Sequence, residues 1–161
     1  MVEKERIKAL NKKGINKGAY ILYWMQASQR VEYNHALEYA ILKSNELRQP
    51  IIVFFGITDH FPEANERQYT FMLEGLKEVK QSLEKRGIQI VILHKSPERG
   101  AVQLARRASL TVVDRGYLRI QRDWRDYVAK RIDCPFIQVE SDVIVPVEET
   151  SPKEEYAAAT I

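Results

Sequence analysis

The stretch Ile51-Ile52-Val53-Phe54-Phe55 decides the fold. A strand with one wet face alternates apolar and polar residues, and this one does not alternate, so both of its faces must be covered. A parallel sheet held between two helical layers supplies that cover. The run continues to Ile57, and four more runs of the same character stand around it: Ala19 to Met25, Ile88 to Leu93, Leu110 to Val113 and Phe136 to Val139.

Helical spacing fills the gaps between these runs. From Asn65 onward, Tyr69, Met72, Leu73, Leu76, Val79 and Leu83 form one apolar stripe, read here as core. Asn65 is a favourable N-cap, Gln68 stands where a reciprocal capping side chain belongs, and Gly87 closes the helix. Ser96-Pro97-Glu98 opens a second helix, with proline in its first turn, that offers Val102, Leu104 and Ala105 to the core. A third runs from about Leu118 to Ile132, with Trp124, Tyr127, Val128 and Ile132 inward. Tyr33 to Leu47 supplies the fourth through Ala36, Leu37, Ala40 and Ile41.

Strand and helix therefore alternate along the chain, which predicts a doubly wound α/β fold: a five-stranded parallel sheet with helices on both faces. Right-handed crossovers lead to the strand order 3-2-1-4-5, with the switch point between the first and fourth strands. Ligands of open sheets bind beyond the carboxyl ends of the strands at that point. The loops after Trp24, Thr58 and Asp114 wall the expected crevice.

A chain of 161 residues fits one domain, taken as residues 19–147, preceded by a basic leader over 1–18 and followed by a connector over 148–161. The leader concentrates Lys4, Arg6, Lys12, Lys13 and Lys17 and reads as a solvated, partly frayed segment. A net charge of +3 is too small a bias to argue for nucleic acid without a clustered patch. The single cysteine, Cys134, excludes an internal disulfide and reads as a buried, inert thiol of a reducing compartment. No apolar run reaches membrane length, so a soluble, cytoplasmic protein without a membrane partner is expected.

Several chemistries find no footing in the sequence. The turn after the first strand is Trp24-Met25-Gln26-Ala27-Ser28, with no Gly-x-Gly-x-x-Gly to cradle a pyrophosphate, and there is no P-loop. His35, His60 and His94 share no metal-ligand spacing with each other or with Cys134. Asp59-His60 could be read as an acid–base pair, but neighbours in a loop usually point apart. No catalytic residue is identified.

Four segments in order carry a resemblance. The first is ILYWMQASQRVEYNHAL, with Trp24-Met25, Gln29-Arg30, Asn34, Ala36 and Leu37. The second is VFFGITDHFPEANERQYTFMLEGLKEV, with Thr58-Asp59, Phe61, Ala64, Arg67-Gln68-Tyr69 and Phe71-Met72-Leu73-x-Gly75-Leu76. The third is VVDRGYLRIQRDW, with Asp114, Leu118-Arg119 and Trp124. The fourth is VESDVIVPVEETSPKEEYAAATI, with Val139-Glu140-x-Asp142, Val145-Pro146-Val147, Ser151, Lys153 and Glu155-Tyr156-Ala157-Ala158-x-Thr160. Together they resemble the amino-terminal domain of class II cyclobutane-dimer DNA photolyases, over nearly the whole chain after Gly18.

The resemblance implies half of a light-driven repair enzyme. The α/β domain would seat an antenna pigment, often 8-hydroxy-5-deazaflavin in class II members. A helical domain, in the same chain or another, would hold FAD and meet damaged DNA. The family pattern leads on into that helical domain where this chain ends, at Ala159-Thr160-Ile161, so repair by this polypeptide alone is not expected. The face meeting the helical domain should carry exposed apolar residues, and a dimer could form through it. Gln26, Arg30, Thr58, Asp59, Asp114 and Tyr117 are the pigment-contact candidates, chosen because topology puts them at the crevice. Two loops depart from the family pattern there. Many relatives carry Arg-Asp at Ala27-Ser28 and an aromatic-Ser-Pro stretch at Arg115-Gly116-Tyr117. Two other readings stay open: a free-standing nucleotide-binding α/β module of the universal-stress or adenine-hydrolase kind, and a structural or dimerising fragment without a ligand.

Overall fold

A computed structural model describes residues 2–150; the fourth segment's Ser151, Lys153 and the positions after them lie outside the described residues. Five parallel strands build the sheet: β2 (Tyr20–Trp24), β3 (Ile51–Ile57), β4 (Gln89–His94), β5 (Ala108–Asp114) and β6 (Phe136–Val139). Their spatial order is β4-β3-β2-β5-β6, the expected 3-2-1-4-5, with the switch point between β2 and β5. All five residues of β2 and all seven of β5 are buried, as unalternating sequence requires of central strands.

The sheet has six strands, not five. β1 (Ile7–Ala9) comes from the leader and pairs antiparallel with β6, placing Lys8 opposite Gln138. The leader thus covers what would otherwise be an open, pairing-competent strand edge. Arg6 anchors it: its guanidinium is buried and donates to the carbonyls of Val143 at 2.8 Å and Ile144 at 2.5 Å, while pairing with Glu3 at 2.7 Å. The sequence hid this strand because three residues among lysines show no period.

Four helices of two turns or more flank the sheet: α1 (His35–Leu47), α2 (Glu66–Lys85), α3 (Pro97–Ala105) and α4 (Arg119–Ala129); α5 (Val147–Thr150) is a single turn. Asn34 caps α1 by accepting from the Leu37 N–H. Asn65 and Gln68 form the reciprocal capping box at the start of α2, and Gly87 just past its end takes φ +71°, a backbone region open to glycine. Pro97 occupies the first turn of α3. One core lies between the sheet and α1 with the rear of α2, around Ile21, Tyr23, Leu37, Val53, Leu76 and Leu83. The other lies under α3 and α4, where Trp24 stacks on Phe136 at 6.3 Å and 12° between planes.

The stripe on α2 divides. Leu76, Val79 and Leu83 are buried, but Tyr69 and Met72 are only partly so and Leu73 is exposed. A helix of 20 residues is about 30 Å long, whereas the six residues of β4 beneath it span about 20 Å. The first turns of α2 therefore overhang the strand ends instead of packing on them. Among the described residues no helix is long and apolar enough to cross a membrane.

Candidate functional site

The overhang opens a cleft of about 850 Å³ at the carboxyl ends of β2 and β3. Trp24, Met25 and Gln26 form one wall, and Phe55, Gly56 and Thr58 form the floor. Tyr69, Phe71 and Met72 from α2 face them, with Phe61 from the preceding loop and Trp124 from α4. The Phe61 and Trp124 rings meet at 6.2 Å with a 59° tilt. Gly56 is required where it stands, since a Cβ there would come within 2.6 Å of the Pro97 Cα. Phe71 is 78% exposed on α2 although it lines the cleft, a rare setting for a side chain of its size.

The turn after β2 is held by Asp114, whose buried carboxylate accepts backbone N–H groups from Gln26 at 2.7 Å, from Ala27 at 2.8 Å and from Ser28. Burial pushes the Asp114 carboxyl above its ordinary range, and the three N–H bonds pull against that rise. These are the donors that a glycine-rich turn would offer to a phosphate, and here a side chain of the protein has taken them. Asn34 closes the turn from the other side, donating from Nδ2 to the carbonyls of Ser28 at 3.1 Å and Arg30 at 2.9 Å.

The six residues chosen from topology do not converge. Gln26 and Thr58 line the cleft. The Gln26 amide is already engaged at both ends, donating to the Gln121 carbonyl at 3.2 Å and accepting from Arg125 at 2.9 Å. Thr58 accepts the Tyr69 hydroxyl on its carbonyl, which ties α2 to the end of β3. Asp114 sits beneath the turn as its anchor. Arg30 turns to the loop after β6, pairing with Asp142 at 2.7 Å and donating to the Ser141 carbonyl at 2.8 Å. Asp59 pairs with exposed His94 at 2.8 Å, so His60 is not its partner. Tyr117 donates to buried Glu140 outside the cleft, and burial with that carboxylate drives the phenol far above its ordinary value. Cys134 is buried against Thr111, and burial raises its thiol as well.

Sequence reasoning missed Phe61, Phe71, Met72 and Trp124 as site residues. Tyr69, Met72 and Leu73 were read as core, and the signal against that was length: the helix carrying the stripe, at about 30 Å, is longer than any strand that could carry it. Gln29 also lines the cleft, and among the described residues its side chain has no hydrogen-bond partner. Together with Thr58 and Gln68 it gives the cleft a few neutral polar groups among aromatic and thioether surface. Among the described residues no three of His, Cys, Asp and Glu gather as a metal cluster.

Among solved structures, a putative universal stress protein from Pseudomonas aeruginosa superimposes with a TM-score of 0.59 at 11% identity, over 91% of this chain and 57% of its own. A universal stress protein in complex with cAMP gives 0.52 at 17% identity, over 78% of this chain and 99% of its own. At such identities the likeness is one of fold alone. In sequence, the chain is 51% identical over 161 residues to a deoxyribodipyrimidine photo-lyase of Methanothermobacter thermautotrophicus, covering 99% of this chain and 36% of that protein. The photo-lyase of Arabidopsis thaliana is 32% identical over 145 residues, covering 88% of this chain and 29% of its own. The chain thus spans about a third of the length of these relatives. The family model for DNA photolyase matches residues 21–161. The chain belongs to the DNA photolyase family and corresponds to its amino-terminal α/β domain.

Proposed function

We propose that this chain is the antenna and scaffold domain of a class II DNA photolyase, and that its cleft seats a flat deazaflavin such as 8-hydroxy-5-deazaflavin. The observation that carries the reading is the pairing of an aromatic cleft, whose one charged lining residue is Glu63, with a turn whose phosphate-binding N–H groups are occupied by Asp114. A tricyclic pigment needs stacking surface and a few polar contacts at its rim. Phe61, Trp124 and Met72 supply apolar surface, while Gln29, Gln68 and Thr58 supply the rim. The pigment, when bound, supplies light absorption, and the protein fixes its orientation and keeps water from its faces. Repair of cyclobutane dimers belongs in this reading to a FAD-binding helical domain, in cis or in trans, which also meets the damaged DNA. We take the setting to be cytoplasmic, in keeping with a lone buried thiol.

The experiment is reconstitution with 8-hydroxy-5-deazaflavin followed by gel filtration and an absorbance scan. A near-ultraviolet to blue band travelling with the protein is expected, and a colourless protein peak removes the antenna role. The competing nucleotide-binding module draws on the shared fold of universal stress proteins, but the occupied turn speaks against it. Calorimetry with ATP and AMP separates the two, since saturable micromolar binding of either would favour the nucleotide module.

A further inference from the structure

A second depression, of about 340 Å³, lies at the other side of the switch point, between α4 and the β5–β6–β1 edge. Its lining is the chemical opposite of the cleft. Lys8, Arg115, Arg122 and Arg125 stand against only two carboxylates, Asp126 and Glu148. Glu148 pairs with Lys8 at 3.1 Å and with Arg115 at 3.4 Å, and Arg115 also meets Glu140 at 3.3 Å. Among the described residues, Arg122 and Arg125 enter no ion pair.

Two buried groups in this lining have unspent capacity. Arg125 is only 6% exposed, yet its one hydrogen bond goes to the neutral Gln26 amide. A guanidinium carries five N–H donors, and the nearby Asp114 and Asp126 act on this one only through space, without a direct ion pair. Gln138, 5% exposed on β6, lines the same depression, and its side-chain amide has no hydrogen-bond partner among the described residues. The residue is largely buried, but its amide atoms open on the depression, where an incoming oxyanion can meet them.

We propose that this depression binds a phosphate-type dianion, the phosphate of a small phosphorylated molecule or free phosphate itself. The donors approach from three elements: Lys8 on β1, Arg122 and Arg125 on α4, and Gln138 on β6. A tetrahedral oxyanion has acceptors to match donors from several sides, and guanidinium groups recognise it through paired N–H bonds. The site lies beyond the end of β5 and beside the end of β6, where open sheets place ligands. The bound dianion compensates the Arg122 and Arg125 charges and engages the Gln138 amide.

The test is a titration of the full 161-residue chain with inorganic phosphate, followed by ¹⁵N NMR, at ionic strength held constant with sodium chloride. A ribose 5-phosphate arm separates a phosphorylated small molecule, which should bind more tightly, from the free ion. Saturable shifts are expected at the Gln138 side-chain amide and along α4. Arg122→Gln, at an exposed position that folding does not depend on, should weaken binding about tenfold, the loss of one charge-assisted contact. Gln138→Leu should weaken it by a smaller factor. Shifts that never saturate against the chloride control, or equal affinity in the wild type and Arg122→Gln, overturn the proposal.

Discussion

The two walls of the cleft are built on different principles. The wall at the end of β2 is held from within: Asp114 takes three backbone N–H groups and Asn34 takes two carbonyls, so the turn has little freedom. The α2 wall is held from behind, by Leu76, Val79 and Leu83, and in front by the Tyr69 hydroxyl, which donates to the Thr58 carbonyl and accepts from the Phe61 N–H. Of its forward residues, Met72 packs partly against the core, while Phe71 is fixed only by its helix. The difference teaches that the site combines a rigid strand-end turn with an overhanging arm, and that apolar surface is left free only where packing stops.

Removing the rigid wall's anchor should produce the largest effect. Asp114→Ala strands two buried N–H groups and a half-buried third, and at about 1–3 kcal/mol for each unsatisfied group the loss should reach roughly 4 kcal/mol. Urea denaturation measures it. A loss below about 1 kcal/mol would mean that the turn holds itself. Next comes the rear anchor of the arm. Leu76→Ala should cost about 3 kcal/mol in the same assay, because the side chain is 1% exposed and leaves a cavity.

Phe71→Ala sharpens the contrast along the same helix. Stability should change by less than about 0.5 kcal/mol, since the ring packs on little. Deazaflavin affinity should nonetheless fall by about tenfold, through the loss of aromatic contact. If stability drops as it does for Leu76→Ala, the arm is packed throughout and the comparison fails.

The smallest effect concerns a contact outside both walls. A hydrogen bond from Lys8 holds the Glu148 carboxyl below its ordinary range. A carboxyl whose folded value is depressed stabilises the fold above its unfolded value and loses that contribution as pH falls through the folded one. Carboxyl-detected NMR should therefore place Glu148 below a glutamate in an unfolded peptide, and Lys8→Gln should raise it most of the way back, with Arg115 holding the remainder. The substitution should leave pigment binding unaltered.

Much of the fold was legible in the sequence because burial on both faces leaves unalternating runs. Ile51 to Ile57 appears as β3 with the expected ends, and the strand order followed from crossover handedness. The helix ends at Asn65, Gly87 and Pro97 were legible because capping is local chemistry. The leader's β1 was not, since its pairing depends on β6 more than a hundred residues away.

The candidate site was far less legible. Asp114 was chosen for its place at a strand end, but its role as the anchor of a turn 86 to 88 residues earlier is a long-range fact. Arg30 and Asp59 sit in the right loops and point to other partners, Asp142 and His94, because a loop's position does not fix its side-chain direction.

By itself, then, the sequence determined the layers, the strand order and the family, because hydrophobic period, capping and motif spacing act along the chain. Only the tertiary structure decided where α2 outruns the sheet, which side chains that leaves facing a cleft, and that the buried Arg125 stands without an ion-pair partner among the described residues. Those outcomes depend on lengths and directions of elements brought together from distant parts of the chain, and no local pattern encodes them.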